Sequence, residues 1–330
     1  PARRLWNMRL AHNSGPKLEL LSSSAAGILA PPHTDRRQLM NAIPTCVPPD
    51  RTPKRPAFAM PAGSCDCHAH ICGPLAVYPC IPQRLYTPTE CSMADYEQML
   101  AALGVQRAVL VQPSFYGSDN RAMLDAMKAA TIPVRGVAVI AEDASDAELE
   151  QLHAAGVRGA RFNIVDIQTA KGVLPIARIR RLAERVAPLG WHIELLMHAD
   201  EFPDLDRTLG TLPVDVVLAH LGYVKASKGL DTAGFRALRR LLAAGRAWVK
   251  LTGPYRISAT AMPHGDTDVF AHTLDATAID RLVWGTDWPH VMAKWSSPMP
   301  NDGELTDLLL RWIPDEAARR RILVDNPARL

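Results

Sequence analysis

Two histidines separated by a single residue are the feature of this chain with the clearest chemical potential. His68 and His70 lie in the short segment Cys65–His70. Because side chains alternate along a β-strand, a strand here would direct both imidazoles to one face, and Cys65 and Cys67 to the other. Two converging imidazoles can hold a metal ion, polarise a carbonyl or transfer a proton. Taken alone, the motif is equally compatible with a pair of hydrogen-bonded core histidines.

Composition limits the classes of protein to consider. The chain has 330 residues, of which 48% are hydrophobic and 22% charged, as is typical of a globular protein. A net charge of +3 is too small to indicate a nucleic-acid or membrane partner. Six cysteines without a CxxC pair favour buried reduced thiols and a cytoplasmic location. The composition leaves the oligomeric state open, homo-oligomers included.

The first 60 residues differ from the rest because they show no steady hydrophobic period. We expect residues 1–60 to form an irregular N-terminal extension with little core of its own, followed by one domain over residues 61–330. A signal peptide over residues 18–30 is one alternative, although three serines interrupt its apolar stretch. Met40 offers another interpretation, in which it is the natural start and residues 1–39 lie upstream of it.

After residue 64, short β-rich runs alternate with amphipathic helical stretches. The predicted strands are Ser64–Ile71, Ala108–Gln112, Val134–Ile140, Val157–Asn163, His192–His198, Val214–His220, Ala247–Gly253 and Arg281–Asp287. Strands separated by helices predict βαβ units and a parallel sheet. Eight of them predict an α/β fold, a TIM-like (β/α)8 barrel. A doubly wound sheet is the alternative, but it usually carries a GxGxxG turn that Ile71–Pro74 lacks.

Reactive side chains fall at the carboxyl ends of seven of these eight strands, where a (β/α)8 barrel carries its chemistry. They are His68, His70, Ser114, Arg161, Asn163, His198, His220, Arg256 and Asp287. Since unpaired polar groups beside an apolar core cost free energy, the repetition indicates a functional site. His192, at the start of the fifth strand, lies at the opposite end and is predicted to be structural.

Each of these residues also has a structural interpretation. Asp287 could cap a turn, and His220 could bond a neighbouring carbonyl. Arg161 could pair with Asp166, and His198 could belong to a helix-capping network.

The strand-end motifs resemble the amidohydrolase superfamily, and within it the 2-pyrone-4,6-dicarboxylate lactonase family. The resemblance covers residues 62–330 and rests on Asp66–His70, Arg84–Pro88, Val111–Ser114, Gly117–Asn120, Arg158–Asn163, Trp191–His192, Ala199–Asp200, His220–Gly222, Lys250, Arg256 and Trp284–His290. There are departures: Tyr223 and Leu196 stand where these lactonases have an arginine and an aromatic residue. Their second basic residue after the fourth strand has no counterpart near Ile167.

The resemblance implies hydrolysis of a carboxylate-bearing lactone, in the catabolism of aromatic compounds. It implies that Asp287 is the general base and that His68, His70 and His220 surround the reacting carbonyl. The residues that it implies for substrate binding are Arg161, Arg256, Ser114, Tyr86 and Asn163. Because the departures remove cationic groups, lactones with one carboxylate are candidates beside the doubly anionic pyrone.

The sequence leaves the cofactor and the reaction class open. His68, His70, His198 and Asp287 could hold one Zn²⁺ or another divalent ion, which lowers the pKa of a bound water to about 7. Metal-free catalysis is equally supported, since the resembled lactonases are thought to work without metal. An amidohydrolase-type decarboxylase of an aromatic acid, a sugar-acid lactone isomerase and a non-catalytic binding protein are the alternatives. The expected partner is a small anionic lactone, with no nucleic acid and no membrane.

Overall fold

The described part of the chain is built on a ring of parallel strands. The computed structural model describes residues 43–330 except 167–172 and 293–297. Eight parallel strands are hydrogen-bonded in chain order: β1 (Cys65–Ala69), β2 (Arg107–Val111), β3 (Val134–Ala138), β4 (Val157–Asn163), β5 (His192–Leu196), β6 (Val216–Leu218), β7 (Ala247–Leu251) and β8 (Leu282–Trp284). A bridge between Ala69 and Trp288 joins the first strand to the segment after the last. The predicted (β/α)8 barrel is therefore confirmed.

Helices follow the strands and cover the ring. They are α1 (Met93–Leu103), α2 (Arg121–Ala129), α3 (Asp146–Ala154), α4 (Ile176–Val186), α5 (Leu205–Leu209), α6 (Ala233–Ala243), α7 (Asp268–Ala278), α8 (Asp302–Trp312), α9 (Glu316–Arg320) and α10 (Asn326–Arg329). Helix α1 shows the local cause of such bounds: Ser92 and Asp95 form a capping box, and Gly104 ends the helix at φ +83°. Within the described residues, no helix combines the length and apolar character that crossing a bilayer requires.

Strand β1 contains a bulge that overturns one prediction. Asp66 pairs with Ala108 and Ala69 with Leu110, so three steps on β1 match two on β2. Cys65 and Cys67 pack with Val217, Trp248 and Val283 inside the ring, and the His68 imidazole faces the same interior. The prediction that the two thiols face away from the histidines is therefore wrong, because the extra residue interrupts the alternation.

The buried carboxylate of Asp66 joins β1 to the segment after β8. It accepts hydrogen bonds from Tyr96 Oη (2.8 Å), Thr286 Oγ1 (2.5 Å) and the backbone N–H groups of His68 and Thr286. Burial raises the pKa of Asp66 to about 6, against the effect of these donors. Gly285 permits the close approach, because a Cβ there would lie 2.7 Å from the backbone nitrogen of His68.

Residues 43–60 contain no helix or strand, and the later part of this segment lies along α8. The backbone N–H of Lys54 donates to Asn301 Oδ1 (3.0 Å), and that of Ala57 donates to Asp307 Oδ1 (2.6 Å). The remainder of the predicted extension, residues 1–42, lies outside the described residues, so the extension as a whole stays a prediction.

Candidate active site

A carboxylate and two imidazoles meet where β1 and β8 end. Asp287 Oδ1 lies 3.7 Å from His68 Nε2 and 3.7 Å from His70 Nε2, and all three side chains are buried. Strand β8 ends at Trp284, three residues earlier than predicted, and Asp287 adopts φ +66° in the following turn. The turn, rather than the strand itself, brings the carboxylate to the histidines.

The two oxygens of Asp287 have different surroundings. Oδ2 accepts from Tyr255 Oη (2.5 Å) and Arg256 Nε (2.5 Å), whereas Oδ1 is buried with no hydrogen-bond partner. Burial alone would raise the pKa of the Asp287 carboxyl, but the charge and hydrogen bond of Arg256 outweigh it and hold the pKa below its ordinary value. Asp287 is therefore ionised, with one oxygen available to accept a proton.

Three imidazoles around Asp287 are neutral near neutral pH. Burial, together with nearby positive charge, lowers the pKa of His70 to about 4, that of His220 to about 3, and that of His68 well below its ordinary value. His220 follows β6 at φ +52°, and its Nδ1 is buried without a partner. Gly253, at φ +55°, makes room for it, because a Cβ there would lie 2.7 Å from His220 Nδ1 and 3.0 Å from Asp287 Oδ2.

A buried ion pair lies beneath the histidines. Lys250 on β7 donates to Glu194 Oε2 on β5 (2.5 Å), to the Cys67 carbonyl (2.7 Å) and to His68 Nδ1 (3.2 Å). Both charged side chains are buried, at 1% and 0% exposure. Sequence reasoning named Lys250 without a role and missed Glu194, although a lone charge inside an apolar strand is a signal for such a pair.

The side chains of His68, His70 and Asp287 form a cluster that could hold a metal ion. Ligand atoms of His68, His70 and Asp287 lie within 4.8 Å of one another, and this spacing suits a divalent cation. The surroundings of His68 do not suit one. An imidazole that binds a metal through one nitrogen normally donates a hydrogen bond from the N–H of the other. His68 Nδ1 instead faces the ammonium of Lys250, which can only donate.

Above these groups opens a cavity of about 320 Å³. It is lined by His70, Leu85, Tyr86, Pro113, Ser114, Arg161, Val165, Asp166, Leu196, His220, Tyr223, Lys225, Arg256, Val291 and Met292. Arg161 donates Nη1 to the Gln112 carbonyl (2.7 Å), while its Nε is buried without a partner. The Nε of Arg256, by contrast, is bonded to Asp287, and its Nη2 donates to the Val291 carbonyl (3.1 Å).

The polar groups on one wall of this cavity bind one another. Asp166 Oδ2 accepts from Ser114 Oγ (3.0 Å) and from Asn163 Nδ2 (2.5 Å), and Tyr86 Oη lies 3.5 Å from Ser114 Oγ. Asn163 also accepts the backbone N–H groups of residues 165 and 166, so its described contacts brace this turn. Ile167 lies outside the described residues.

His198 and His192 do not belong to the cluster of His68, His70 and Asp287. His198 Nδ1 lies 2.9 Å from the Tyr223 carbonyl, and its ring stacks on Tyr223 with the ring centroids 4.7 Å apart. The structure thus brings three of the four predicted metal ligands together, and His198 is not one of them. His192 lines a second cavity of about 260 Å³ at the amino-terminal ends of the strands, with Arg135 and Arg158.

Comparison with known proteins identifies the family of this chain. A protein-family model described as amidohydrolase matches residues 65–330. The 2-pyrone-4,6-dicarboxylate hydrolase of Comamonas testosteroni is 38% identical over 84% of this chain and 93% of its own length. The 4-sulfomuconolactone hydrolase of Hydrogenophaga intermedia is 36% identical over 89% of this chain and 96% of its own.

Solved structures extend this agreement to the backbone. A putative 2-pyrone-4,6-dicarboxylic acid hydrolase from Pseudomonas putida superposes with a TM-score of 0.71 at 31% identity, over 82% of this chain and 97% of that one. Since the family model covers residues 65–330 and the fold is a ring of eight parallel strands, this chain belongs to the amidohydrolase family.

Proposed function

We propose that this protein is a cytoplasmic lactone hydrolase that opens a small ring carrying a carboxylate, in the catabolism of aromatic compounds. Relatives named for the hydrolysis of two such lactones support the substrate class. The observation that carries the proposal is the buried, unpartnered Asp287 Oδ1 beside two neutral imidazoles, one of which, that of His70, lines a cavity together with Arg161.

The reaction can be derived from this chain's own residues. Asp287 takes a proton from a water molecule as the water oxygen attacks the lactone carbonyl. An imidazole N–H of the site stabilises the oxyanion, a role worth about 3–4 kcal/mol for one donor. The bond between the carbonyl carbon and the ring oxygen then breaks, and the ring oxygen takes the proton held by Asp287. The new carboxylic acid loses the second proton of the water to solvent and becomes a carboxylate, and Asp287 returns to its ionised form.

The charges in the cavity favour a substrate with one anionic group near the reacting ring. Among the described residues that line it, Arg256 is bound to Asp287, and Lys225 donates to the Arg256 carbonyl (2.6 Å). Arg161 is therefore the cation best placed for a substrate carboxylate, whose two oxygens suit a guanidinium. The Asp166 carboxylate, which lines the same cavity, disfavours a second substrate anion beside it. No nucleic acid or membrane enters the proposal, and a homo-oligomer remains compatible with it.

Incubation of the purified full chain with singly and doubly carboxylated lactones in H₂¹⁸O tests this function. We expect ring opening with one ¹⁸O in the new carboxylate and one proton released per turnover, fastest for singly carboxylated rings. Release of CO₂ would instead identify a decarboxylase, and rearrangement without ¹⁸O an isomerase. Tight binding without turnover of any lactone would favour a non-catalytic binding protein.

A further inference from the structure

The buried pair of Lys250 and Glu194 exchanges no proton with water or substrate in the proposed reaction. Their charges balance, because the charge of Lys250 outweighs the effect of burial and lowers the pKa of Glu194. The ammonium has three N–H donors, and three acceptors surround it: Glu194 Oε2, the Cys67 carbonyl and His68 Nδ1. All three donors are thus used, one of them on the imidazole.

This contact decides which nitrogen of His68 carries its proton. Since Lys250 can only donate, His68 Nδ1 must accept, and the single proton of a neutral imidazole then lies on Nε2. Glu194 Oε1 offers a competing acceptor, but it lies 3.5 Å from Nδ1, farther than the 3.2 Å of the Lys250 contact.

His70 is in the opposite situation. Its Nδ1 lies 2.7 Å from the Val111 carbonyl, which can only accept a hydrogen bond. The proton of His70 therefore lies on Nδ1, and its Nε2 presents a lone pair towards Asp287 Oδ1.

We infer that Lys250 is a positioning residue that fixes the His68 proton on Nε2, so that His68 acts as a donor while His70 acts as an acceptor. On the proposed function, His68 donates to the oxyanion, and a water between His70 Nε2 and Asp287 Oδ1 can donate one proton to each. The same assignment removes His68 from any metal site, since its Nε2 lone pair is occupied by a proton.

Magnetic resonance of the full chain, labelled with ¹⁵N in the histidine rings, reads the proton position directly. Long-range ¹H–¹⁵N correlation distinguishes the two tautomers, and the signals of His68 and His70 are assigned from the spectra of H68Q and H70Q. We expect an Nε2–H form for His68 and an Nδ1–H form for His70. An Nδ1–H form for His68 would overturn the inference. Because no substrate is present, this readout stands even if no lactone is hydrolysed.

Addition of one equivalent of Zn²⁺ to the same sample tests the consequence for metal binding. The Nε2–H signal of His68 should persist. Its replacement by the signal of a metal-bound imidazole would contradict the assignment.

A variant tests the effect on catalysis. Replacement of both charges, in K250M/E194Q, avoids leaving a lone buried charge and removes the donor to His68. Loss of one oxyanion donor predicts a fall in kcat of about 100-fold with little change in KM, and a His68 signal that shifts towards a mixture of tautomers. The control is H192Q, which changes another buried group on β5 outside the catalytic group. Unchanged kcat and an unchanged His68 signal in K250M/E194Q would refute the role of Lys250.

Discussion

Asp287 accepts hydrogen bonds from Tyr255 and Arg256 with Oδ2, and its Oδ1 has no partner and is the oxygen proposed to take the proton. Asp287→Asn keeps an acceptor for Tyr255 but removes the base, so we predict a fall in kcat of about 10²–10⁴-fold. Steady-state kinetics measures the loss, and circular dichroism checks that the fold is retained. A folded variant with more than a tenth of the original kcat would exclude Asp287 as the base.

The guanidinium of Arg161 provides a matched pair of variants on one strand. Loss of a charge-assisted hydrogen bond costs about 1.5–3 kcal/mol, so Arg161→Met should raise KM about 10- to 100-fold with little change in kcat. Arg158→Met changes the same residue type at the other end of β4, beside the second cavity, and should leave KM unchanged. Equal KM values in the two variants would show that Arg161 does not bind the substrate.

The hydrogen bonding of His68 also predicts the outcome of metal removal. Because Lys250 faces the nitrogen that a ligating histidine would use to donate, we expect activity to survive dialysis against a chelator. Elemental analysis of the dialysed protein should accompany the assay. Loss of activity that returns with one equivalent of a divalent ion would show that the enzyme depends on the metal.

Sequence reasoning at this scale found three strand-end residues that lie together, but it also grouped His198 with them, and it missed the pair inside the strands. The strand-end rule led to Asp287, His68 and His70, which the structure brings together. Glu194 and Lys250 lie inside strands that are not neighbours, and they meet because odd-numbered strands of a barrel contribute side chains to a common layer. That meeting depends on barrel register, which no local sequence pattern specifies.

At the scale of elements, the turns after the strands position the side chains of the site, and glycines leave the space that these side chains need. Gly253→Ala would place a Cβ 2.7 Å from His220 Nδ1 in a backbone at φ +55°, so kcat should fall together with stability. Gly190→Ala is the control, since Gly190 has φ +68° but a Cβ added there would meet no atom within 4 Å. It should cost about 1–2 kcal/mol in the free energy of unfolding and leave kcat unchanged.

Kinetics and urea unfolding of the two glycine variants separate these effects. If both lose stability but neither loses activity, the fit of His220 against Gly253 has no catalytic consequence.

The bounds of elements were predictable where local signals are strong. The helical pattern in the sequence predicts a helix over Met93–Leu103, and these are the bounds of α1, because a capping box and a left-handed glycine mark its ends. The predicted sixth and eighth strands extended too far, since an apolar run continues into turns where His220 and Asp287 adopt positive φ. The bulge in β1 carries no composition signal and was missed.

For the whole molecule, buried neutral imidazoles link stability to pH. The pKa is lowered to about 4 for His70 and His192 and to about 3 for His220, so between pH 6.5 and about 4 the unfolded chain binds more protons than the folded one. The free energy of unfolding should therefore decrease as the pH is lowered through this window, by about 1.4 kcal/mol per pH unit for each imidazole. Asp66, with its pKa raised to about 6, acts in the opposite direction.

Urea unfolding at several pH values between 7 and 4.5 measures this slope. His192→Gln removes one of the groups and should reduce the slope by about 1.4 kcal/mol per pH unit. An identical slope in the variant would mean that His192 takes up its proton equally in the folded and unfolded chain.

The seam between the first and last strands has a consequence for biosynthesis. Asp66 and Thr286, which hold that seam, are 220 residues apart in the chain. A nascent polypeptide that has released seven strands from the ribosome already carries both imidazoles, yet the carboxylate that would work with them is still unmade or unplaced. The proposed site is therefore complete only after the last strand has joined the barrel, and activity in a cell extract would report only on fully folded molecules.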